Sequence, residues 1–174
     1  MSGGAHTALR AAEWLALWLL GLMAGFFFAF AVDVVPAMAR LDAATYITTQ
    51  QHINHVVRNA VFGGAYFGSA LLPWLAAGAA LWARQRGRAL TWGAIALVHG
   101  AAVFWLTRSV NVPINDALAT WLPQQPPTDW QAARDQWNSA NAVRAWASAA
   151  CFGAAAWLAG ATRDERSNGS PDNL

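Results

Sequence analysis

The side chains best suited to proton transfer are His52 and His55, three positions apart in the polar segment QQHINHVVRN. An unperturbed imidazole titrates near pH 6.5, so either histidine is a candidate general base. On a helix the two rings fall on one stripe. With Asp33 or His99 as a further ligand, such a pair could bind copper or iron. Because histidine pairs with this spacing are common on helix surfaces, we predict no bound metal.

Two further polar groups lie far along the chain. Asn111 and Asn115 stand in the segment NVPIND, where their amides either complete a turn and cap a short helix or donate hydrogen bonds to a ligand. The other group is a helical stripe with spacing i, i+4 and i+7, formed by Trp137, Asn141 and Arg144. An aromatic ring, an amide and a guanidinium on one stripe could bind a flat, electron-rich compound.

The composition predicts that lipid surrounds most of the chain. Of its 174 residues, 56% are hydrophobic and 11% are charged. A soluble domain usually carries about 25% charged residues. The eleven tryptophans agree with this prediction, because indole rings favour membrane interfaces. A net charge of +2 without a basic, aromatic-rich run argues against a nucleic-acid partner.

Four apolar stretches are each near the ~20 residues that a helix needs to cross a bilayer. They cover residues 12–35, 60–82, 89–106 and 142–161. The first is too long for a signal-peptide core and has no cleavage site after it. We therefore predict an all-α fold, a four-transmembrane-helix bundle in residues 12–161. The partner that follows directly from this prediction is the lipid bilayer, and the sequence leaves homo-oligomer formation open.

Arginines indicate the orientation in the membrane. Arg84, Arg86 and Arg88 crowd the short connection between the second and third spans, which the positive-inside rule places in the cytoplasm. The N-terminal residues 1–11 and a polar, disordered tail at 162–174 would then be cytoplasmic too. The connections 36–59 and 107–141 would form a polar cap on the opposite side. Because the chain contains eleven arginines and no lysine, we infer a bacterial genome and the plasma (inner) membrane.

Several polar residues have competing structural interpretations. An arginine inside a membrane helix is costly unless it snorkels, pairs or faces a polar cavity. Arg144 therefore has two possible roles. It forms a structural ion pair, with Asp33 as the carboxylate at similar depth, or it binds substrate at the floor of an outward-facing pocket. Arg58 and Asp116 are further candidates for the pairing. His99, within an apolar span, is predicted to make a helix–helix hydrogen bond.

The first polar connection is predicted to form a helix. Asp42 is a candidate N-cap for the segment that begins at Ala43. No proline or glycine interrupts residues 43–62, so we expect this helix to continue without a break into the second span.

Two elements, NVPINDAL at 111–118 and W-x-x-x-N-x-x-R at 137–144, occur in order and are flanked by apolar spans. With the first span ending in AGFFFAFAVDVVPAMARL, they resemble the DUF1772, or anthrone oxygenase-like, family of membrane proteins. The resemblance covers about residues 15–161. The matching positions that it implies for the site include Asn54, Asn111, Asn115, Trp137, Asn141 and Arg144.

This resemblance implies an oxidoreductase that oxidises a small hydrophobic, aromatic substrate with oxygen at a pocket near the outer membrane face. Some fungal members convert an anthrone to an anthraquinone, a reaction that needs no metal because the anthrone carbanion reacts with oxygen. In that interpretation His52 or His55 is the base and Arg144 stabilises the anion. Trp137 stacks on the substrate ring, and four amides bind its oxygens: Asn54, Asn111, Asn115 and Asn141.

A non-catalytic function is the alternative. Asparagine and arginine side chains also hold membrane helices together, and no residue pattern here is an unmistakable nucleophile or metal site. The chain would then be a small membrane scaffold, sensor or accessory subunit. A cavity lined by the polar residues would favour the enzyme, whereas mutually satisfied polar residues would favour the scaffold.

Overall fold

The computed structural model describes residues 2–167, and the side chains of residues 3–160. Within them the chain forms five helices. Helix α1 comprises Ser2–Ala29, Phe30–Val34 and Val35–Met38 in one continuous run. The others are α2 (Ala43–Val57), α3 (Ala60–Trp82), α4 (Arg86–Leu118) and α5 (Trp130–Ser167).

Four of these helices, all except α2, are long and apolar enough to cross a membrane. Large apolar side chains on their outer faces are exposed, such as Trp18, Trp105 and Trp157 at 67%, 70% and 70%. The predicted all-α, four-span fold is confirmed, and the protein is a multi-pass membrane protein. Three helices, α1, α4 and α5, extend beyond the predicted spans, because the polar residues next to each apolar stretch are helical as well.

The expected continuous helix through the first polar connection is wrong. Asp42 does cap α2, since its carboxylate accepts a hydrogen bond of 3.1 Å from the Thr45 amide. α2 ends at Val57, however, and α3 begins at Ala60 with Asn59 as its N-cap. The side-chain Oδ1 atom of Asn59 accepts a hydrogen bond from the Phe62 backbone amide at 3.0 Å. This second cap satisfies a free amide at the start of α3 and lets the chain change direction.

The four long helices form a bundle in which each packs on two others. α1 contacts α3 and α5, and α4 also packs on α3 and α5. Small residues fill the closest approaches, including Ala16, Ala76 and Ala155, each 0% exposed. Small side chains bring helix backbones close together, which favours association in lipid.

A buried ion pair closes the bundle at the end where the short connection Ala83–Gln85 lies. The Arg88 guanidinium is 2.7 Å from the Glu13 carboxylate, and the two side chains are only 15% and 12% exposed. The Trp92 indole nitrogen donates to the same carboxylate at 2.9 Å. No local sequence pattern predicts this ion pair between α1 and α4, which gives Arg88 a counter-charge inside the protein.

The polar cap lies at the opposite end of the bundle. There α2 covers the ends of the long helices, with Tyr46 and Ile47 buried against Met38 and Leu118. The Gln51 amide donates to the carbonyl oxygens of Leu118 and Trp121, at 2.9 and 3.0 Å. These bonds satisfy two carbonyls at the C-terminal end of α4 and fix α2 above the long helices.

Wider, π-helical turns occur near the cap in α1 and α4. They cover Phe30–Val34, Gly100–Trp105 and Thr107–Asn111. Pro36 and Pro113 follow closely, and neither can donate a backbone hydrogen bond. Turns of this kind often occur at functional sites, and here they contain Phe30, Thr107 and Asn111.

The termini differ in part from the prediction. Helix α1 already begins within the segment 1–11, and α5 continues to Ser167, into the segment 162–174 that was expected to be a disordered tail. The rest of that predicted tail, 168–174, lies outside the described residues.

Candidate functional site

Three distant segments meet at Asn115. The Oδ1 atom of Asn115 accepts hydrogen bonds from the Asn54 amide at 3.1 Å and from the Trp137 indole nitrogen at 2.9 Å. Asn54 in turn accepts from the Gln50 amide at 3.2 Å. These bonds connect α2, α4 and α5 at the capped end of the bundle. Three of the predicted site residues are therefore in direct contact.

Below this network, α4 and α5 face each other through polar groups. The Asn111 amide donates to the Trp137 carbonyl at 3.3 Å. The Arg144 guanidinium donates to Asn141 Oδ1 at 2.9 Å and to Thr107 Oγ1 at 3.1 Å. Trp137 connects the Asn115 network with Arg144. Its indole nitrogen donates to Asn115, and its ring centroid lies 5.3 Å from the guanidinium carbon of Arg144.

Arg144 lies inside the bundle at the level of Phe27, whose ring centroid is 4.8 Å from the guanidinium carbon. Only 6% of Arg144 is exposed. Phe27 stands fourteen residues after Glu13, about 21 Å of helix rise from the opposite end of the bundle. The hydrocarbon layer is ~30 Å thick, so the guanidinium sits within its depth.

The proposed ion pair of Arg144 is wrong. Among the described residues, no carboxylate lies within ion-pair distance of its guanidinium, and Asp33 is exposed. Asp116 pairs instead with Arg58 at 3.5 Å on the surface, where both side chains are more than 60% exposed. The guanidinium contacts a hydroxyl, an amide and two aromatic rings, none of which carries a negative charge.

Several buried polar atoms around Arg144 have no hydrogen-bond partner within the described part of the chain. They are Asn111 Oδ1, Asn141 Nδ2, Arg144 Nε and Ser148 Oγ. All four residues are at least 94% buried. Unpaired buried polar atoms are uncommon in folded proteins and call for an explanation.

A large apolar cleft lies between α1, α2 and α3, with a volume of about 860 Å³. His52 and Asn59 supply its polar side chains, and the remaining lining is aliphatic or aromatic, including Phe26, Phe30 and Phe62. The Phe30 ring also contacts the Trp137 ring, with centroids 5.4 Å apart. Arg144 therefore lies one layer of side chains behind the cleft wall and does not line it.

His52 and His55 serve different surfaces. His52 lines the apolar cleft, whereas His55 lines a separate polar pocket of about 250 Å³ together with Asn54, Arg58 and Asn115. Both rings are exposed, and neither contacts Arg144. The two histidines therefore line different pockets, and Arg144 lines neither of these two.

Comparison with known proteins relates this sequence to a protein family. The anthrone oxygenase family matches residues 51–156 of the sequence. The chain belongs to the anthrone oxygenase family. No curated protein and no solved structure matches it.

The segment shared with the anthrone oxygenase family contains every predicted site residue, from His52 to Arg144. It does not contain α1, which supplies Phe27 and Phe30 to the same region. Neither was predicted from the sequence, because a phenylalanine in an apolar span resembles any other lipid-facing or core residue. Thr107 was not predicted either, since its only sequence signal is a hydroxyl at the polar end of a span.

The metal alternative receives no support from the geometry. Within the described part of the chain, no group of three or more His, Cys, Asp or Glu side chains is arranged to hold a metal ion. His52 and His55 line different surfaces. His99, the other proposed ligand, is fully buried, and its Nε2 lies 3.0 Å from Ser69 Oγ. This contact confirms the predicted helix–helix hydrogen bond.

Proposed function

We propose that this protein is a membrane oxidoreductase of the anthrone oxygenase type, which oxidises a small apolar aromatic compound with molecular oxygen in the cleft between α1, α2 and α3. The observation that supports it best is an apolar cleft of about 860 Å³ with an exposed imidazole, His52, in its wall. Ligand pockets usually have volumes of ~300–1,000 Å³ and a few polar groups in an apolar lining. The polar pocket beside His55, at about 250 Å³, falls below that range.

The cleft suits a flat ring system. Phe26 and Phe62 have ring centroids 5.1 Å apart, and Phe62 stacks on Tyr66 at 5.8 Å. Aromatic faces and edges favour a further aromatic ring at similar separation. Leu22 and Val61, which are 47% and 84% exposed, lie on the outer side of the cleft. An apolar substrate would therefore enter from the lipid.

The reaction converts a benzylic CH₂ group and O₂ into a ketone and water. Removal of one C–H proton gives a resonance-stabilised carbanion, and electrons from this carbanion reduce O₂ as a C–O bond forms. Protonation yields a hydroperoxide. Loss of the second C–H proton then breaks the O–O bond, leaves the C=O group, and releases hydroxide that is protonated to water. Oxygen is the only oxidant required.

His52 would take the first proton. An imidazole is the side chain that most often acts as a general base near neutral pH. The imidazolium formed would lie beside the anion and favour it electrostatically, and the Asn59 side chain on the same wall could donate a hydrogen bond to the substrate oxygen. The hydrogen bonds among Asn54, Asn115 and Trp137 would have a positioning role, because they hold α2 in place and therefore the His52 ring.

Orientation and location form part of the same proposal. Arg84, Arg86 and Arg88 at the short connection favour a cytoplasmic position for that end. The cap and the cleft would then face the other side of a bacterial plasma membrane. Access of cysteine-reactive labels to single cysteines introduced at Arg84 and at Arg58 in intact cells would test this assignment.

Oxygen uptake is the decisive experiment. The purified protein in lipid nanodiscs, supplied with an anthrone, should consume oxygen faster than empty nanodiscs. His52→Gln should lower the rate by about 100-fold or more, the usual contribution of a general base. His55→Gln is the matched control, on the same helix but outside the cleft, and should retain the wild-type rate. Equal rates for His52→Gln and wild type would refute the assignment of the base.

A scaffold function is the second candidate, and a specific observation favours it. The cap residues Asn54, Asn115 and Trp137 satisfy one another's hydrogen-bonding groups, as a purely structural network would. A scaffold would not raise oxygen uptake above that of empty nanodiscs with any anthrone. The enzyme requires such an increase, so the same measurement separates the two functions.

A further inference from the structure

We propose that Arg144, Asn141 and Ser148 form a binding site for a small monovalent anion, such as chloride or bromide, inside the helix bundle. The three residues lie at spacings i, i+3 and i+7 on one face of α5. Each presents a buried polar atom without a hydrogen-bond partner: Asn141 Nδ2, Arg144 Nε and Ser148 Oγ. Nothing in the proposed oxidation uses these atoms.

The charge of Arg144 calls for an anion. Within the described residues, the three ion pairs involve other arginines, namely Arg58, Arg88 and Arg134. Arg144 is 94% buried and sits in an apolar layer that includes Phe27, Met23 and Val103. A charge at membrane depth without a counter-charge is strongly disfavoured. A bound anion supplies the missing counter-charge.

The unpaired atoms have the right chemistry for that ligand. Arg144 Nε and Asn141 Nδ2 are hydrogen-bond donors, and the Ser148 hydroxyl can donate as well. Two other guanidinium nitrogens of Arg144 are already committed to Asn141 Oδ1 and Thr107 Oγ1, which leaves Nε–H for a further acceptor. Asn111 Oδ1 is also unpaired, but it is an acceptor, so we do not count it in the site.

The surroundings select the kind of anion. A single guanidinium balances one negative charge. The unpaired atoms each have less than 1 Å² of accessible surface, so neighbouring side chains must shift to admit even a single-atom anion, and a large organic anion is excluded. Burial also favours ions that shed water readily. We therefore expect bromide to bind at least as well as chloride, and divalent sulfate to bind weakly.

Binding can be measured directly on the full-length protein in detergent. Equilibrium dialysis with radioactive chloride should show saturable binding, with unlabelled bromide as a competitor and gluconate as the inert replacement at constant ionic strength. The thermal unfolding midpoint should rise with chloride along the same saturation curve. A linear, non-saturating uptake would mean that no such site exists and would overturn the inference.

Asn141→Asp provides a sharper test than removal of Arg144, because loss of the arginine also breaks its hydrogen bonds to Asn141 and Thr107. Asn141 Oδ1 is already 2.9 Å from the Arg144 guanidinium, so a carboxylate in its place would form an internal ion pair with little rearrangement. Halide affinity should then fall by about tenfold or more, because the carboxylate repels a second anion. The variant should remain folded without chloride.

Asn138→Asp is the matched control, with the same substitution three residues earlier on α5, at a position outside the site. It should bind chloride like the wild type. Unchanged chloride binding in Asn141→Asp would contradict the proposed site. Because the readout is binding, this result is separate from that of the oxygen-uptake experiment, which depends on His52.

Discussion

The Trp137 indole nitrogen donates a 2.9 Å hydrogen bond to Asn115 Oδ1, and the same oxygen accepts a second hydrogen bond from Asn54. One amide oxygen therefore joins α2, α4 and α5. The Trp137 ring also contacts Arg144 and Phe30. This single indole connects the cap, the buried guanidinium and the wall of the cleft, so the three regions should respond together to changes at Trp137 or Asn115.

Replacement of Asn115 by alanine should destabilise the cap. The change leaves the Trp137 indole N–H and the Asn54 amide without their acceptor, and an unsatisfied buried donor costs about 1–3 kcal/mol. The thermal unfolding midpoint of the detergent-solubilised protein should fall accordingly. Asp116→Ala is the control, since this neighbouring side chain is 65% exposed and an exposed ion pair contributes only ~0–1 kcal/mol. Equal midpoints for the two variants would contradict the assigned role of Asn115.

Loss of the Glu13 carboxylate should be more damaging than loss of any surface charge. Glu13→Ala leaves the mostly buried Arg88 guanidinium and the Trp92 indole without their partner. Removing one member of a buried pair costs about 3–5 kcal/mol. Arg58→Ala, which breaks an exposed pair, is the comparison and should leave the midpoint almost unchanged. A mild effect of Glu13→Ala would mean that water or lipid headgroups reach Arg88.

Alkaline conditions should unfold the cap through Tyr46, which lies in α2 outside the spans. Burial raises the pKa of Tyr46 from 10 to about 12. The folded state therefore keeps the phenol neutral at pH values at which the phenol of the unfolded chain would be ionised. The stabilisation is fully present below pH 10 and is lost as pH rises through 12. The unfolding midpoint of the wild type should fall over this range.

Tyr46→Phe should show a smaller fall over the same range of pH, with its midpoint at pH 8 as the reference. The chain contains no lysine, so few other groups ionise between pH 10 and 12. The same pH dependence in both proteins would mean that Tyr46 is not the group responsible.

The sequence alone identified the membrane helices, because hydropathy and length are local properties and the bilayer sets the length that a span needs. The Asp42 cap was likewise predictable, since a cap depends on residues within one turn. The break between α2 and α3 was not predicted. It depends on Arg58 and Asn59 leaving the helical conformation while Asn59 caps the next helix, and asparagine is also found inside helices.

For the site, helical periodicity placed Trp137, Asn141 and Arg144 on one face from sequence, because the geometry of a single helix determines which of its residues share a stripe. The tertiary structure decided which stripe faces which neighbour. It brought Asn54 and Asn115 to Trp137, gave Arg144 aromatic neighbours in place of Asp33, and separated His52 from His55. These contacts join residues far apart in the chain, and they depend on the packing of whole helices, which no local pattern records.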